Sequence, residues 1–257
     1  MEKISFGKPQ ARKGYRCVDM HFHSTHSDGA ATVDEILKKS RKMGIGVAIS
    51  DHNEISGSLD ALKKKKSEDF IIPAIEVKSS EGVDVLFYFC DSSEMIKFFD
   101  NEIKEHRKKF LRMSKTDIPL KDILAFQKKY KCMISIPHMY GYAFRAHVED
   151  MFEKHQTDLG KADIFEAING GNNRESNEKA IDYVLENNKG FTGGSDGHSI
   201  YSLGNVITCA KAKTIRDFFN EIESKRNYVA GIETRYGKLG EYTNYGINRL
   251  KNLIKHD

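Results

Sequence analysis

The sequence predicts one α/β domain built around a barrel-like sheet. Apolar strand segments alternate with amphipathic helical segments along most of the 257 residues, enough chain for one large α/β barrel or two small domains. No linker, low-complexity segment or internal repeat divides the chain, so we expect a single domain over residues 1–257. Several predicted strands end in histidine, aspartate or glutamate, and an α/β barrel gathers its active site at the carboxyl ends of its strands.

The first β-α-β unit sets the pattern. Residues 18–24 form an apolar strand with polar side chains at alternate positions. Thr32 and Glu35 have the spacing of a capping box, which predicts a helix that ends near Gly44. The next strand covers residues 47–50. Because a right-handed crossover joins parallel strands in such a unit, we expect these two strands to be parallel.

The same alternation continues along the chain. Further helices are predicted at residues 58–66, 93–112, 120–130, 148–155, 176–187, 214–225 and 248–255. Further strands are predicted at residues 70–76, 83–90, 132–137, 163–169, 190–194, 205–209 and 228–231. The candidate functional motifs lie within residues 17–209, and residues 232–257 are predicted to form a C-terminal extension.

Composition favours a cytoplasmic protein without a membrane partner. Hydrophobic residues make up 39% of the chain and charged residues 30%. No apolar run approaches the roughly 18 residues of a membrane helix, and residues 1–16 lack the apolar core of a secretion signal. The net charge of +4 and the basic runs at residues 38–42 and 63–66 neither require nor exclude nucleic acid, and we expect both runs to be solvated helix surfaces. No feature of the sequence indicates an oligomeric state.

The four cysteines are predicted to be reduced. Cys17, Cys90, Cys132 and Cys209 are far apart, each beside an apolar segment, and no Cys-x-x-Cys pair occurs. This spacing favours small, half-buried apolar residues over a disulfide framework or a structural zinc site.

A histidine pair in the first strand suggests a metal site. His21 and His23 alternate with Met20 and Phe22, so both imidazoles face the same side of an extended strand. Two imidazoles side by side are commonly held by a metal ion between them. The pair alone is equally consistent with hydrogen-bonded surface histidines.

Comparable residues follow the other predicted strands. They are Asp51 and His52 after the second strand, Glu76 after the third, His138 after the strand at 132, Asp196 and His198 after the strand at 190, and Asp28 in the first loop. Each alone could be a strand-end residue bonded to nearby backbone. Together they form a mixed imidazole and carboxylate set, which favours zinc, manganese or iron. This many ligands imply two or three divalent ions, and such clusters suit in-line attack on phosphorus.

The motifs resemble those of the PHP family, named for polymerase and histidinol phosphatase. They are Val18-Asp19-Met20-His21-Phe22-His23-Ser24, Ser27-Asp28-Gly29, Ile49-Ser50-Asp51-His52-Asn53, Ala74-Ile75-Glu76-Val77, Ile136-Pro137-His138 and Gly194-Ser195-Asp196-Gly197-His198. The resemblance implies a distorted (β/α)7 TIM-like barrel with up to three metal ions. It also implies a phosphatase or other phosphoesterase, since the family hydrolyses histidinol phosphate, nucleotides and nucleic-acid ends.

The resemblance also implies which residues hold each metal. The first metal would take His21, His23, Glu76 and Asp196; the second would share Glu76 and take His138; the third would take Asp28, His52 and His198. One position departs from the family. Many members have histidine in the strand after the glutamate, where this chain has Asp84, which we expect to be a ligand of the second metal that favours a harder ion.

Other residues complete the predicted site. Glu76, His198 and Asp51 are the candidate catalytic residues, with Asp51 expected to orient a ligand imidazole. Arg145, Arg107 and Arg174 are candidates for binding phosphate, because a guanidinium matches phosphate oxygens bidentately. Arg145 is preferred because its loop follows His138.

The predicted function is metal-dependent hydrolysis of phosphate esters by a metal-bound hydroxide. Only residues 77–137 separate Glu76 from His138, and a strand and two helices use most of them, which leaves little room for a lid. Without a lid, water exclusion and contacts to a small substrate should be weaker, so we expect nucleotide-like or other small phosphomonoesters to be hydrolysed at modest efficiency, with nucleotide-like phosphates preferred. The alternatives are an exonuclease acting on oligonucleotide ends, or a catalytically silent barrel that serves as a binding module.

Overall fold

The computed structural model describes residues 3–11, 13–110, 113–141, 152 and 154–233. The strands are β1 (Ile4–Phe6), β2 (Arg16–Phe22), β3 (Gly46–Ile49), β4 (Ile71–Lys78), β5 (Asp84–Phe89), β6 (Arg107–Phe110), β7 (Met113–Thr116), β8 (Cys132–Ser135), β9 (Ile164–Asn169), β10 (Gly190–Gly194), β11 (Val206–Ala210) and β12 (Tyr228–Gly231). The helices are α1 (Val33–Met43), α2 (Ser56–Lys64), α3 (Ser92–Phe98), α4 (Leu120–Lys129), α5 (Gln156–Leu159), α6 (Arg174–Glu186) and α7 (Ile215–Glu223). The predicted helix at 248–255 and the start of that at 148–155 lie outside the described residues.

The fold is mixed α/β and centres on an eight-stranded curled sheet. Its strand order is β1-β12-β11-β2-β3-β4-β5-β8. Strands β2, β3 and β4 are parallel, as the β-α-β pattern predicts. Strand β5 runs antiparallel to both β4 and β8. Only residues 79–83 join β4 to β5, which is too short for a crossover helix, so the strand–helix alternation is interrupted there.

A parallel pair, β9 and β10, lies between two strands of the main sheet. Beyond β8, Ile136 forms an isolated bridge with Phe165 of β9. On the other side, Phe22 at the end of β2 bridges to Gly197, just beyond β10. These contacts bring the carboxyl ends of β2, β8, β9 and β10 to one edge of the curled sheet.

Helix α1 begins and ends as its sequence predicts. The Thr32 hydroxyl accepts from the Glu35 amide, and the Glu35 carboxylate accepts from the Thr32 amide, which completes the capping box. Gly44 ends the helix with φ of 66°, a left-handed conformation that glycine adopts without steric cost. The buried face of α1 consists of Val33, Ile36, Leu37 and Ser40.

The predicted long helix at 93–112 is wrong. Helix α3 ends at Phe98, one π-helical turn follows at Phe99–Ile103, and β6 and β7 form an antiparallel hairpin. Residues 104–109 contain no apolar side chain that could extend the buried stripe of the helix. The Thr116 hydroxyl instead donates to the Lys78 carbonyl, which anchors the hairpin to the end of β4. The segment between Glu76 and His138 therefore contains an antiparallel strand pair, β6 and β7, in addition to the predicted strand and helices.

The prediction that all four cysteines are reduced is wrong for two of them. Cys17 on β2 lies directly opposite Cys209 on the antiparallel strand β11, and the two form a disulfide. Their Cα atoms are 4.0 Å apart, because a directly opposed antiparallel pair brings side chains into contact. Cys90 and Cys132 are free and half-buried, as predicted.

Candidate metal centre

The first predicted ligand group is assembled at the carboxyl ends of β2, β4 and β10. The Nε2 atoms of His21 and His23 are 3.1 Å apart. Glu76 Oε2 lies 3.4 Å from each of these nitrogens. Asp196 Oδ1 lies 3.6 Å from His21 Nε2 and 3.3 Å from His23 Nε2. Four ligands at about 2.0–2.1 Å from a tetrahedral ion are themselves about 3.3 Å apart, so the four atoms fit one metal ion.

The second group lies on the other oxygen of Glu76. His138 Nε2 is 3.3 Å from Glu76 Oε1 and 3.8 Å from Asp84 Oδ2. Because β5 is antiparallel to β4, Asp84 reaches this edge from the start of its strand. Asp84 Oδ2 also lies 2.7 Å from Lys78 Nζ, an ion pair that the sequence analysis did not predict. The second group therefore contains a lysine cation beside its carboxylate.

The third group lies on the opposite side of His23. Asp28 Oδ2 is 3.1 Å from His198 Nε2 and 3.8 Å from His52 Nε2. His23 Nδ1 is 3.8 Å from Asp28 Oδ1, so His23 presents one ring nitrogen to each of two groups. His52 Nδ1 is in turn 3.0 Å from Glu76 Oε2. The structure thus brings the nine predicted ligands into one connected set.

Backbone close approaches position this set. A Cβ atom at Gly194 would lie 2.5 Å from the His21 backbone nitrogen, so only glycine lets β10 approach β2 this closely. His138 has φ of 35° and Asp196 has φ of 47°, conformations that non-glycine residues rarely adopt. Such strain is concentrated at functional sites, where the surrounding structure holds it.

Two buried carboxylates that the sequence analysis missed support the ligands. Glu166 on β9 lies 3.2 Å from His21 Nδ1 and accepts hydrogen bonds from the His138 amide and the Asn169 side chain. A carboxylate on the distal nitrogen fixes the orientation of a metal-binding imidazole. Asp19 accepts from the hydroxyl and amide of Ser195 and from the Gly204 amide, and burial raises its pKa to about 6. The only sign of this role in the sequence is that Glu166 is a charged residue within an apolar strand.

The structure corrects the expected contact of Asp51. Its carboxylate accepts from the amide and hydroxyl of Ser24, at 2.8 and 2.7 Å, and from the Ser27 hydroxyl at 2.6 Å. It therefore holds the loop that carries Asp28, whereas we expected it to orient an imidazole. Gly57 packs directly against this carboxylate, where a Cβ atom would clash.

The three candidate arginines have different positions. Arg107 lies on β6, ion-paired with Glu54 and with its guanidinium 5.2 Å from the centroid of the Phe99 ring. Arg174 begins α6, pairs with Glu233, and its guanidinium lies 3.6 Å from the Phe6 ring centroid. These contacts hold both arginines outside the three ligand groups. Arg145 lies outside the described residues.

The charges of the set are mutually dependent. Burial opposes a charge on His21, but the carboxylates of Asp196, Glu76 and Glu166 raise the pKa of His21 well above its usual value. Burial likewise opposes ionisation of Glu76, yet His52 and His21 hold the pKa of Glu76 well below its usual value. Burial and the neighbouring imidazoles of His198 and His52 lower the pKa of His23. The positive charge of protonated imidazoles thus compensates the negative charge of the buried carboxylates, as the charge of bound metal ions would.

The donor chemistry fits divalent metal ions. Glu76 Oε2 has three ring nitrogens within 3.4 Å but no hydrogen bond of acceptable geometry among the described residues. Asp84 Oδ1 and His23 Nδ1 are also buried without a hydrogen bond in that part of the chain. Buried polar atoms normally have a hydrogen-bond partner. A cluster of buried oxygen and nitrogen atoms without one therefore favours bound cations.

Metal binding at pH 7 is expected to release protons. In the metal-free protein the raised pKa of His21 keeps its imidazole protonated near neutral pH, and a metal ligand must be neutral. The stability that this protonated imidazole contributes is fully present below pH 6.5 and is lost as pH rises through its folded pKa. Calorimetric titration of manganese in two buffers of different ionisation enthalpy measures the proton count. Identical heats in both buffers would contradict the expectation.

Comparison with known proteins gives the class. The family model of the PHP domain matches residues 19–191, and that of a PHP-associated region matches residues 174–227. Together with the fold and the ligand groups, this makes the protein a metal-dependent phosphoesterase, an enzyme of the hydrolase class. Since the first match covers more than half of the chain, the chain belongs to the PHP domain family. No curated protein matches the sequence.

Several solved structures share the fold. A predicted metal-dependent phosphoesterase from Bifidobacterium adolescentis has a TM-score of 0.56 and 18% identity, over 84% of this chain and 96% of that one. The lesion-specific endonuclease EndoQ from Pyrococcus furiosus has a TM-score of 0.68 and 17% identity, over 87% of this chain. This chain spans 60% of the endonuclease's length. At these identities the similarity concerns the fold alone. Among the described helices, none is long and apolar enough to cross a membrane.

Proposed function

We propose that this protein hydrolyses nucleotide-like or other small phosphomonoesters at a centre of two or three divalent ions. The observation that carries the proposal is the sharing of Glu76 among the ligand groups: its Oε2 lies within 3.4 Å of His21 and His23, and its Oε1 lies 3.3 Å from His138. A carboxylate placed between ligand groups suits adjacent ions, which stabilise the attacking and leaving oxygens of a displacement at phosphorus.

The ligand assignment remains the one predicted from sequence. His21, His23, Glu76 and Asp196 would hold the first ion, His138, Glu76 and Asp84 the second, and Asp28, His52 and His198 the third. The ions would be zinc, manganese or iron, which accept this mixture of imidazole and carboxylate. Bound ions would supply a Lewis acid that polarises the phosphoryl group and lowers the pKa of water.

The chain's own residues orient the centre. Glu166 accepts at His21 Nδ1, which leaves Nε2 of that imidazole facing Glu76. His198 is 23% exposed, more than His52 at 13% or His138 at 4%, and Nδ1 of His198 lies against the Asp196 carbonyl. We therefore keep Glu76 and His198 as the catalytic candidates, with Asp51 supporting the Asp28 loop and Arg145 as the candidate phosphate ligand.

We also propose that seven strands form the distorted (β/α)7 barrel of the family. They are β2, β3, β4, β5, β8, β9 and β10. The two isolated bridges, Ile136 to Phe165 and Phe22 to Gly197, support closure on both sides of the β9–β10 pair. We propose a single domain over residues 1–257, since the two family matches overlap at residues 174–191.

Replacing Asp84 by histidine is expected to shift metal preference from manganese towards zinc or iron by several-fold. Imidazole is a softer ligand than carboxylate, and it cannot form the ion pair with Lys78. Metal content after loading from an equimolar manganese and zinc mixture measures the shift. Lys78→Met is the matched control, because it removes the ion pair but keeps the carboxylate. Identical metal content in Asp84→His and the unmodified protein would show that Asp84 is not a ligand.

Turnover of a substrate panel after manganese loading tests the proposal. We expect modest kcat/KM for small phosphomonoesters, with nucleotides preferred over sugar and amino-alcohol phosphates. Far higher kcat/KM for one sugar or amino-alcohol phosphate than for every nucleotide and oligonucleotide would overturn the substrate preference. A protein with full metal content but no turnover of aryl phosphate or any other phosphoester would instead be the silent binding module.

Hydrolysis at oligonucleotide ends is the second candidate function. The observation that favours it is the basic hairpin β6–β7, which is anchored to the end of β4 beside the ligand groups. The similarity to EndoQ, which has been solved with a 27-mer duplex, is consistent with this candidate at the level of fold.

A further inference from the structure

We propose that Lys78 binds a nonbridging oxygen of the phosphoryl group that is hydrolysed, and that Asp84 positions the Lys78 ammonium. The inference rests on the proposed phosphoesterase function and adds a substrate-binding residue to it. Lys78 Nζ lies 2.7 Å from Asp84 Oδ2, and the same oxygen lies 3.8 Å from His138 Nε2. One carboxylate oxygen therefore joins the ammonium to the second ligand group.

Strand geometry places Lys78 on the solvent side of the ligand groups. Lys78 lies two residues after Glu76 on β4, so the two side chains share one face of the strand. Ala74, on the same face, packs in a buried cluster with Met20 of β2, whereas Val77 packs in a different cluster. The Lys78 side chain is 29% exposed and that of Glu76 only 1%. The ammonium therefore lies on the side from which a substrate enters.

The backbone of Lys78 is held at both of its polar groups. Its amide donates at 3.0 Å to Asn53 Oδ1, and its carbonyl accepts at 2.7 Å from the Thr116 hydroxyl. Asn53 is buried, and its own amide donates at 2.8 Å to the Glu76 carbonyl. These bonds fix the base of the side chain and Asp84 fixes its end, so little ordering remains to be done when a phosphate binds.

The charge balance of the ligand set favours a cationic side chain beside the substrate. The candidate ligands include four carboxylates, those of Asp28, Glu76, Asp84 and Asp196. Two divalent ions would only neutralise these four charges, which leaves the negative charge of a phosphomonoester uncompensated. Lys78 supplies a positive charge beside Asp84, the carboxylate at the position where many family members have histidine. An ammonium donates through three N–H bonds, so it can contact an aspartate and a phosphoryl oxygen together.

The test compares manganese-loaded Lys78→Met with manganese-loaded Lys64→Met in the full chain. Lys64 is the matched control, a partly exposed lysine that pairs at 2.9 Å with Asp34 and Asp60, neither of which is a candidate ligand. Calorimetry measures the Kd of inorganic phosphate, and manganese content is measured on the same samples. KM and kcat are measured for an aryl phosphate monoester and for a diaryl phosphate diester. Lys78→Gln is a second uncharged variant, Lys78→Arg retains the charge, and thermal unfolding shows which variants are folded.

We expect Lys78→Met to bind inorganic phosphate about tenfold more weakly without losing manganese, because it lacks a charged hydrogen bond to phosphate but keeps every candidate metal ligand. KM for the monoester should rise by a similar factor. The ratio of monoester to diester kcat/KM should fall, since a diester carries less negative charge for an ammonium to bind. Lys78→Arg should recover most of the phosphate affinity, and Lys64→Met should match the unmodified protein.

Unchanged phosphate affinity in Lys78→Met or Lys78→Gln, or an equal loss in Lys64→Met, would overturn the inference. A loss of manganese that accounts for all of the weaker binding would also overturn it, because Lys78 would then act only on Asp84. Failure of the unmodified, manganese-loaded protein to bind inorganic phosphate would be equally decisive against it. Absence of all turnover, with the difference in phosphate affinity intact, would refute the proposed function but leave the phosphate contact of Lys78 standing.

Discussion

Replacing His21 by alanine is expected to lower kcat at least about a hundredfold while the protein remains folded. The Nε2 atom of His21 lies 3.1–3.6 Å from three other candidate ligand atoms, so its loss leaves the first ion with an incomplete ligand set. Even partners outside the ligand set change metal affinity or activity about 10–100-fold, and a direct ligand should have a larger effect. Removing the imidazole also leaves Glu166 without its partner at Nδ1.

Metal content and turnover of the metal-loaded variant measure this effect. His106→Ala is the control, because His106 is an exposed histidine paired with Asp117 outside the ligand groups. An unchanged kcat in fully metal-loaded His21→Ala would show that His21 is not a metal ligand. We expect the variant to retain an ion in the third group, since Asp28, His52 and His198 do not include the substituted side chain.

The predictability of the site follows from strand geometry. His21 and His23 are two residues apart, and two is the side-chain period of a strand, so their shared direction is encoded locally. The carboxyl ends of parallel strands lie at one edge of a sheet, because the strands run in the same direction. His52 and Glu76 could therefore be predicted to lie close together without knowing the strand register. Asp84 meets Glu76 for a different reason: its strand is antiparallel, so its beginning, and not its end, lies at the site.

Features that depend on register were not predictable in this way. The Cys17–Cys209 disulfide requires knowing that β2 and β11 pair antiparallel with these two residues opposed, across 192 residues of sequence. Glu166 lies inside an apolar strand, where no strand-end pattern marks it. The β6–β7 hairpin was missed because apolar residues at helical spacing precede it, and only the pairing of its strands distinguishes it from a continued helix.

Glu76 lies between the part of the site that local strand patterns predict and the part that depends on how the strands pair. It lies on β4 between the parallel half of the main sheet and the antiparallel strand β5. Its two oxygens face different histidines, Oε2 towards β2 and the loop after β3, and Oε1 towards His138. Its carboxylate is fully buried, and its charge is compensated by imidazoles on several elements. Loss of this charge should therefore affect more than one group at once.

Glu76→Gln is expected to lower both metal content and turnover more severely than His21→Ala. The amide keeps the shape of the side chain but removes the negative charge shared by the groups, and an amide nitrogen cannot act as a metal ligand or accept from an imidazole. Without this charge the pKa of His21 should fall, because Glu76 is one of the carboxylates that raise it. Metal addition at pH 7 should then release fewer protons.

Three measurements on metal-titrated Glu76→Gln decide between a shared and a single-site role: ion stoichiometry, proton release and kcat. Glu54→Gln is the matched control, since Glu54 is a half-buried carboxylate at the same rim that pairs with Arg107. We expect the control to retain the stoichiometry of the unmodified protein. We expect Glu76→Gln to bind fewer ions than His21→Ala and to lose at least about a hundredfold in kcat. If Glu76→Gln loses one ion only, like His21→Ala, then Glu76 serves a single metal and the groups are independent.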